Sequence, residues 1–162
     1  MKKLSFISLF VLIVLLATIG SAMASESRTV FQAQLGDEAA ATGSDAIGNA
    51  IFVFTDDGSQ MDYKLVINGL DNTTQAHIHV ADTPGANGPI VLWLFPSAPP
   101  STLIEGTFNG LLGSGRATPA DLTGASGVTS FEALRTAIAE GRAYVNAHTT
   151  AFPAGEIRGT IH

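Results

Sequence analysis

Four histidines are the residues best placed to do chemistry in this 162-residue chain: His77, His79, His148 and the last residue, His162. His77 and His79 are separated by one isoleucine. On extended backbone, residues i and i+2 project to one side of a sheet, so the two imidazoles share a face. A third imidazole from a neighbouring strand would complete a transition-metal site. Three histidines without thiolate or carboxylate suit one copper ion first and zinc second, with a position left open for water. The bland alternative is that these histidines hydrogen-bond loop backbone and fix loop positions. His162 is the weakest candidate, because chain termini fray.

The strands that must carry these side chains can be phased from their apolar residues. In Gln75 to Val80 the apolar set is Ala76, Ile78 and Val80, which turns His77 and His79 away from the core. In Arg142 to His148 it is Ala143, Val145 and Ala147, leaving Tyr144, Asn146 and His148 opposite. In the last strand, Ile157, Gly159 and Ile161 face inward and Glu156, Arg158, Thr160 and His162 outward. Three neighbouring strands would thus present imidazoles on a single non-core polar patch. Glu156 and Arg158 are i, i+2 neighbours, and a local ion pair worth about 0.5 kcal/mol is expected. The alternative sets Arg158 beside the histidines to attract an anion, its role should the protein be an enzyme.

The remaining segments read as short strands separated by turn residues, which predicts an antiparallel β-sandwich or small barrel. Arg28 to Leu35 alternates, with Phe31, Ala33 and Leu35 on one side. Ile47 to Thr55 and Gln60 to Asn68 flank a hairpin turn at Asp56-Asp57-Gly58-Ser59. The loop Ala81 to Pro89 leads into Ile90 to Phe95, and Leu103 to Phe108 precedes a glycine-rich stretch through Gly115. One short helix is predicted from Ser130 to Glu140, with Thr129 and Glu132 as a capping box and Gly141 as its stop. Trp93 and the phenylalanines read as core. Asp56, Asp57 and Asp62 do not have the spacing of a calcium loop, and read as solvated turn acids.

The N-terminus predicts export. Lys2 and Lys3 precede an apolar run from Leu4 to Gly20, and Ala22-Met23-Ala24 offers a small-x-small cleavage site. Residues 1–24 are thus read as a signal peptide and 25–162 as one domain, secreted, periplasmic or at the cell surface. A retained anchor is the rival reading, since the run nearly reaches the ~18–20 residues needed to span. Cleavage would leave six basic residues against 14 acidic, a net charge of −8. The acids are scattered and no basic stripe exists, which argues against nucleic acid as a partner. No cysteine is present, so an oxidising compartment would supply no disulfide. Asn72-Thr73-Thr74 is an N-glycosylation sequon. No Ser-His-Asp order or nucleotide loop stands out.

The segments AHIHVADTPGANGPIVLWL, FEALRTAIAEGRAYVNAHT and FPAGEIRGTI resemble the CHRD (chordin-type) domain, over about Thr29 to Ile161. The resemblance implies an immunoglobulin-like β-sandwich or barrel and an extracellular setting, without a settled activity. A protein or polysaccharide partner would suit a non-catalytic interaction module of this kind. A more distant likeness is to the copper-zinc superoxide dismutase fold. By order and context His77 and His79 resemble its paired copper ligands, His148 the later one, and Arg158 its anion-guiding arginine. There is no counterpart to the bridging histidine, the zinc cluster or the cysteine pair. The likeness therefore implies at most a single copper.

Overall fold

The structure, a computed structural model, describes residues 28–37 and 40–162. The expected signal peptide, residues 1–24, lies outside them. Seven strands and one helix follow in the order β1 (Arg28–Leu35), β2 (Ile47–Thr55), β3 (Met61–Val80), β4 (Ile90–Phe95), β5 (Ile104–Ala117), α1 (Phe131–Ala139), β6 (Ala143–Thr149) and β7 (Ile157–Thr160). All pairings are antiparallel. The all-β expectation, with one short helix, is what the chain adopts.

β3 organises the molecule. Its first half pairs with β2 and β5, and its second half with β4 and β6. Two four-stranded layers, β1-β2-β3-β5 and β7-β6-β3-β4, therefore share one strand. β7 meets β1 again through the Gly36–Arg158 bridge and a pair of backbone hydrogen bonds between Gln32 and His162, each 2.9 Å. The result is a nearly closed barrel filled by Phe52, Phe54, Met61, Leu65, Ile67, Leu70, Ile78 and their neighbours. Fully burying a side chain of this size stabilises by roughly 1.5–3 kcal/mol.

Two sequence expectations need correction here. The separate strands at Gln60–Asn68 and Gln75–Val80 are one strand of 20 residues. Gly69, Asp71 and Asn72 sit at register shifts against β5, so the chain bends without leaving the sheet. Asn72, the sequon residue, is built into this bend: its Oδ1 accepts from the Gly106 N–H at 3.0 Å and its carbonyl from Thr150 N–H at 3.1 Å. The glycine-rich stretch after Phe108 likewise continues β5 to Ala117. Glycine suits that run because Tyr63 crosses it, and a Cβ on Gly115 would stand 3.2 Å from the Tyr63 ring.

The helix lies within its predicted limits, but Ser130 caps it, accepting from the Ala133 N–H at 3.2 Å; Thr129 does not. Gly141 ends it with a φ of 69°. Phe131 and Leu134 are buried, and Phe131 meets Phe54 edge to face at 5.5 Å. No helix among the described residues is long and apolar enough to cross a membrane.

Candidate metal centre

The strand register brings the outward residues of four strands into rows. His77 on β3 lies opposite Trp93 on β4 and Asn146 on β6, and Asn146 lies opposite Arg158 on β7. His79 lies opposite Tyr144, and His148 opposite Gln75. The adjacency that the three-histidine reading required is present. One nitrogen from each of His77, His79 and His148 falls within 4.8 Å of the others.

The polar patch on which they converge is not open to solvent. His77, His79 and His148 are 0, 7 and 5 % exposed. Two connections fold over this outer face and roof it. In residues 81–89, the Gly88 carbonyl accepts from His79 Nδ1 at 2.9 Å, and the Gly88 N–H donates to the Tyr144 hydroxyl at 3.0 Å. In residues 150–156, the Pro153 carbonyl accepts from His148 Nδ1 at 2.9 Å, and the Ala154 carbonyl from Asn146 Nδ2 at 3.1 Å. Gly155 rests on the Asn146 amide so closely, at a φ of 115°, that a Cβ there would overlap it. Trp93, expected in the core, belongs to the outer row instead: Leu92 and Leu94 point inward, and the indole stands perpendicular to the His77 ring at 4.2 Å.

The roof also sets the tautomers. A carbonyl oxygen only accepts, so Nδ1 of His79 and of His148 carries the proton and Nε2 of each holds a lone pair. Without metal, His77 Nδ1 donates to that lone pair on His148 across 3.2 Å. His79 Nε2 and His77 Nε2 are buried with no hydrogen-bond partner. Burial, reinforced by the His148 and His79 imidazoles, pushes the His77 pKa down to about 3. Burial also lowers His79 to about 4, against the opposing hydrogen bond to Gly88, and lowers His148. All three are neutral near pH 7, the form that ligates metal.

Arg158 is buried on the same face. Its Nη1 donates to Asn87 Oδ1 at 3.0 Å and its Nη2 to the Ala86 carbonyl at 2.8 Å, while its guanidinium lies 3.4 Å over the Tyr144 ring. The expected ion pair with Glu156 does not form. Glu156 turns the other way and accepts from Ser44 Oγ at 2.7 Å and Thr149 Oγ1 at 2.6 Å. The buried position decides this, because both carboxylate oxygens find hydroxyl donors where no guanidinium reaches. His162 is exposed and stands outside the cluster. Tyr144, Asn146 and Trp93 were not given a role from the sequence, although the phase that selected His148 places the first two beside it.

Barrel and site together define an all-β module with a roofed, neutral three-imidazole cluster on the outside of one layer. The model of the CHRD domain matches residues 31–161, and the chain belongs to that family. No curated protein and no solved structure matches it.

Proposed function

We propose that this CHRD domain is an exported metal-binding module that holds one transition-metal ion, copper before zinc, between His77, His79 and His148. One observation carries the reading: three neutral imidazoles converge in a site closed to water, and two of their nitrogens have no partner. A buried polar atom left unpaired costs about 1–3 kcal/mol, and a cation bound by the cluster would relieve that cost. Moving the His77 proton from Nδ1 to Nε2 would free Nδ1 as a donor atom, and its 3.2 Å separation from His148 Nε2 then serves as a ligand bite. Two nitrogens about 2.05 Å from a metal and 3.2 Å apart subtend about 100°, close to tetrahedral. Neutral nitrogen donors with no thiolate or carboxylate support copper, which also binds most tightly among divalent first-row ions. Export rests on the basic and apolar leader.

The hydrogen bonds from His79 and His148 to the roof carbonyls favour a second reading, an extracellular interaction module whose histidines only pin the two loops. Calorimetric titration with Cu(II) and Zn(II) separates them. The first reading expects one Cu(II) per chain and at least about a hundredfold loss of affinity in His77→Ala/His79→Ala. No tight binding, or equal binding by a variant that still melts cooperatively, leaves the second. Superoxide consumption by the copper-loaded protein, beside Arg158→Ala, tests catalysis separately.

A further inference from the structure

His79 and His148 each rest their Nδ1–H on a roof carbonyl, which leaves Nε2 of both as the ligand atom. His77 has no such carbonyl. At its position β3 lies between two partners, Trp93 on β4 to one side and Asn146 on β6 to the other. Its Nδ1 reaches toward the β6 side, where His148 Nε2 stands 3.2 Å away. The two nitrogens of an imidazole leave the ring in nearly opposite directions, so Nε2 points back toward β4 and the indole. The Trp93 and His77 rings are perpendicular, with centres only 4.2 Å apart. That is closer than the ~4.5–7 Å usual for edge-to-face aromatic pairs. The narrow imidazole reaches it edge foremost, whereas the wider edge of an indole does not, so the indole presents its face. His77 Nε2, buried and without a hydrogen-bond partner, therefore stands opposite a π face that carries partial negative charge.

We propose that Trp93 is the positioning residue for His77: its indole face accepts the His77 Nε2–H, so that Nδ1 joins Nε2 of His79 and of His148 as the third ligand. The inference rests on the metal reading and deepens it. In the metal-free protein Nδ1 holds the proton and the Nε2 lone pair faces the indole, an unfavourable pairing. Ligation at Nδ1 requires the other tautomer. The ring stays neutral, giving a proton to water from Nδ1 and taking one up at Nε2. An N–H···π contact is weak by itself, but a metal-bound imidazole carries part of the ion's charge, which strengthens its attraction to the indole face. Each ligand then has its outer N–H received, two by carbonyls and one by an aromatic ring.

Zinc(II) provides the test, because it is diamagnetic and nitrogen–proton NMR of histidine-labelled protein reads the ring tautomers. In the zinc-loaded wild type, His77 should be protonated at Nε2, and His79 and His148 at Nδ1. The His77 proton should lie well upfield of the other two, shielded by the indole ring current. Trp93 is only partly buried, so its replacement should leave the fold intact. Trp93→Leu should remove the upfield shift and weaken zinc binding at least about tenfold, while Trp93→Phe, which keeps a π face, should stay within about threefold of wild type. If wild type binds zinc but His77 ligates through Nε2, or if Trp93→Leu binds as tightly as Trp93→Phe, the proposal falls and the metal reading stands. If wild type binds neither zinc nor copper, both fall.

Discussion

The two layers that share β3 treat their outer faces in opposite ways. The β1-β2-β3-β5 layer turns Val30, Ile51, Val66 and Leu111 to solvent, 60, 42, 38 and 53 % exposed, and holds a shallow concavity of about 540 Å³ lined by Ile51, Val53 and Tyr63. Its charged groups stay wet: Asp62 and Arg116 pair at 2.7 Å with both side chains in contact with water. The other layer turns three histidines, an asparagine and an arginine outward, then covers them with residues 81–89 and 150–156. Apolar side chains are thus left exposed where polar ones are buried, the reverse of what the hydrophobic effect alone would arrange. Scattered exposed aliphatics cost little. Burying histidine and arginine costs much more, and loop carbonyls offset part of it with hydrogen bonds. The difference locates the part of this molecule where buried polar groups cost the fold stability.

Acid should break the comparison most sharply. The unfolded chain takes up protons at its histidines below about pH 6.5, whereas folded His79 and His77 resist until about 4 and 3. The unfolded state binds more protons in that window, so stability is full above about pH 6.5 and falls as pH drops, by about 1.4 kcal/mol per pH unit for each imidazole kept neutral. Denaturant melts of the metal-free protein between pH 7.5 and 4 should show this slope. A flat profile would mean the roof admits water. The open face acts in a lower window: the Arg116 hydrogen bond holds the Asp62 carboxyl below its ordinary value of 3.8, so its contribution persists above that value and is lost only in stronger acid.

A smaller effect is expected from Gly88→Ala, because a Cβ on Gly88 would overlap the Val80 backbone, which has no freedom to move aside. The roof loop should lift or strain, at a cost of about 3 kcal/mol in thermal or denaturant stability, together with weaker metal binding. The smallest effect belongs to the open face. Val30→Ser and Leu111→Ser should each change stability by no more than about 0.5 kcal/mol. A loss above about 2 kcal/mol in either would show that this face is covered after all, and a shift in sedimentation on substitution would show by what.

Much of this contrast could be read in the sequence, up to a definite point. The two-residue period identified which side of each strand His77, His79, His148 and Arg158 occupy, and their convergence followed once the strands proved adjacent. Periodicity distinguishes sides. It says nothing about whether a side is covered, which depends on where a loop lands. Ala81 to Pro89 looks like an ordinary connection because its turn formers specify local bends, not the surface it will cross. Trp93 was misplaced for a related reason: a bulky aromatic in an apolar run looks like core, and only the inward pointing of Leu92 and Leu94 puts it outside. The strand ends were misjudged as well. The glycine-rich stretch after Phe108 gives no apolar alternation to follow, yet it continues β5, where small residues serve bulges and close crossings.

The seam between β1 and β7 gives the centre a history as well as a shape. Gln32 pairs with His162, and His77 meets His148 across 71 positions of chain. During synthesis, His77 and His79 are complete long before the strand that supplies His148, the loop that roofs it, or the final residues that close the barrel. Until then they are open to solvent and protonate as free histidines do. Contacts this distant in sequence also form slowly, on the millisecond-to-second scale typical of β-barrels. Neutral, converged imidazoles are therefore among the last things each chain acquires, and a metal captured there would mark a molecule that has finished folding.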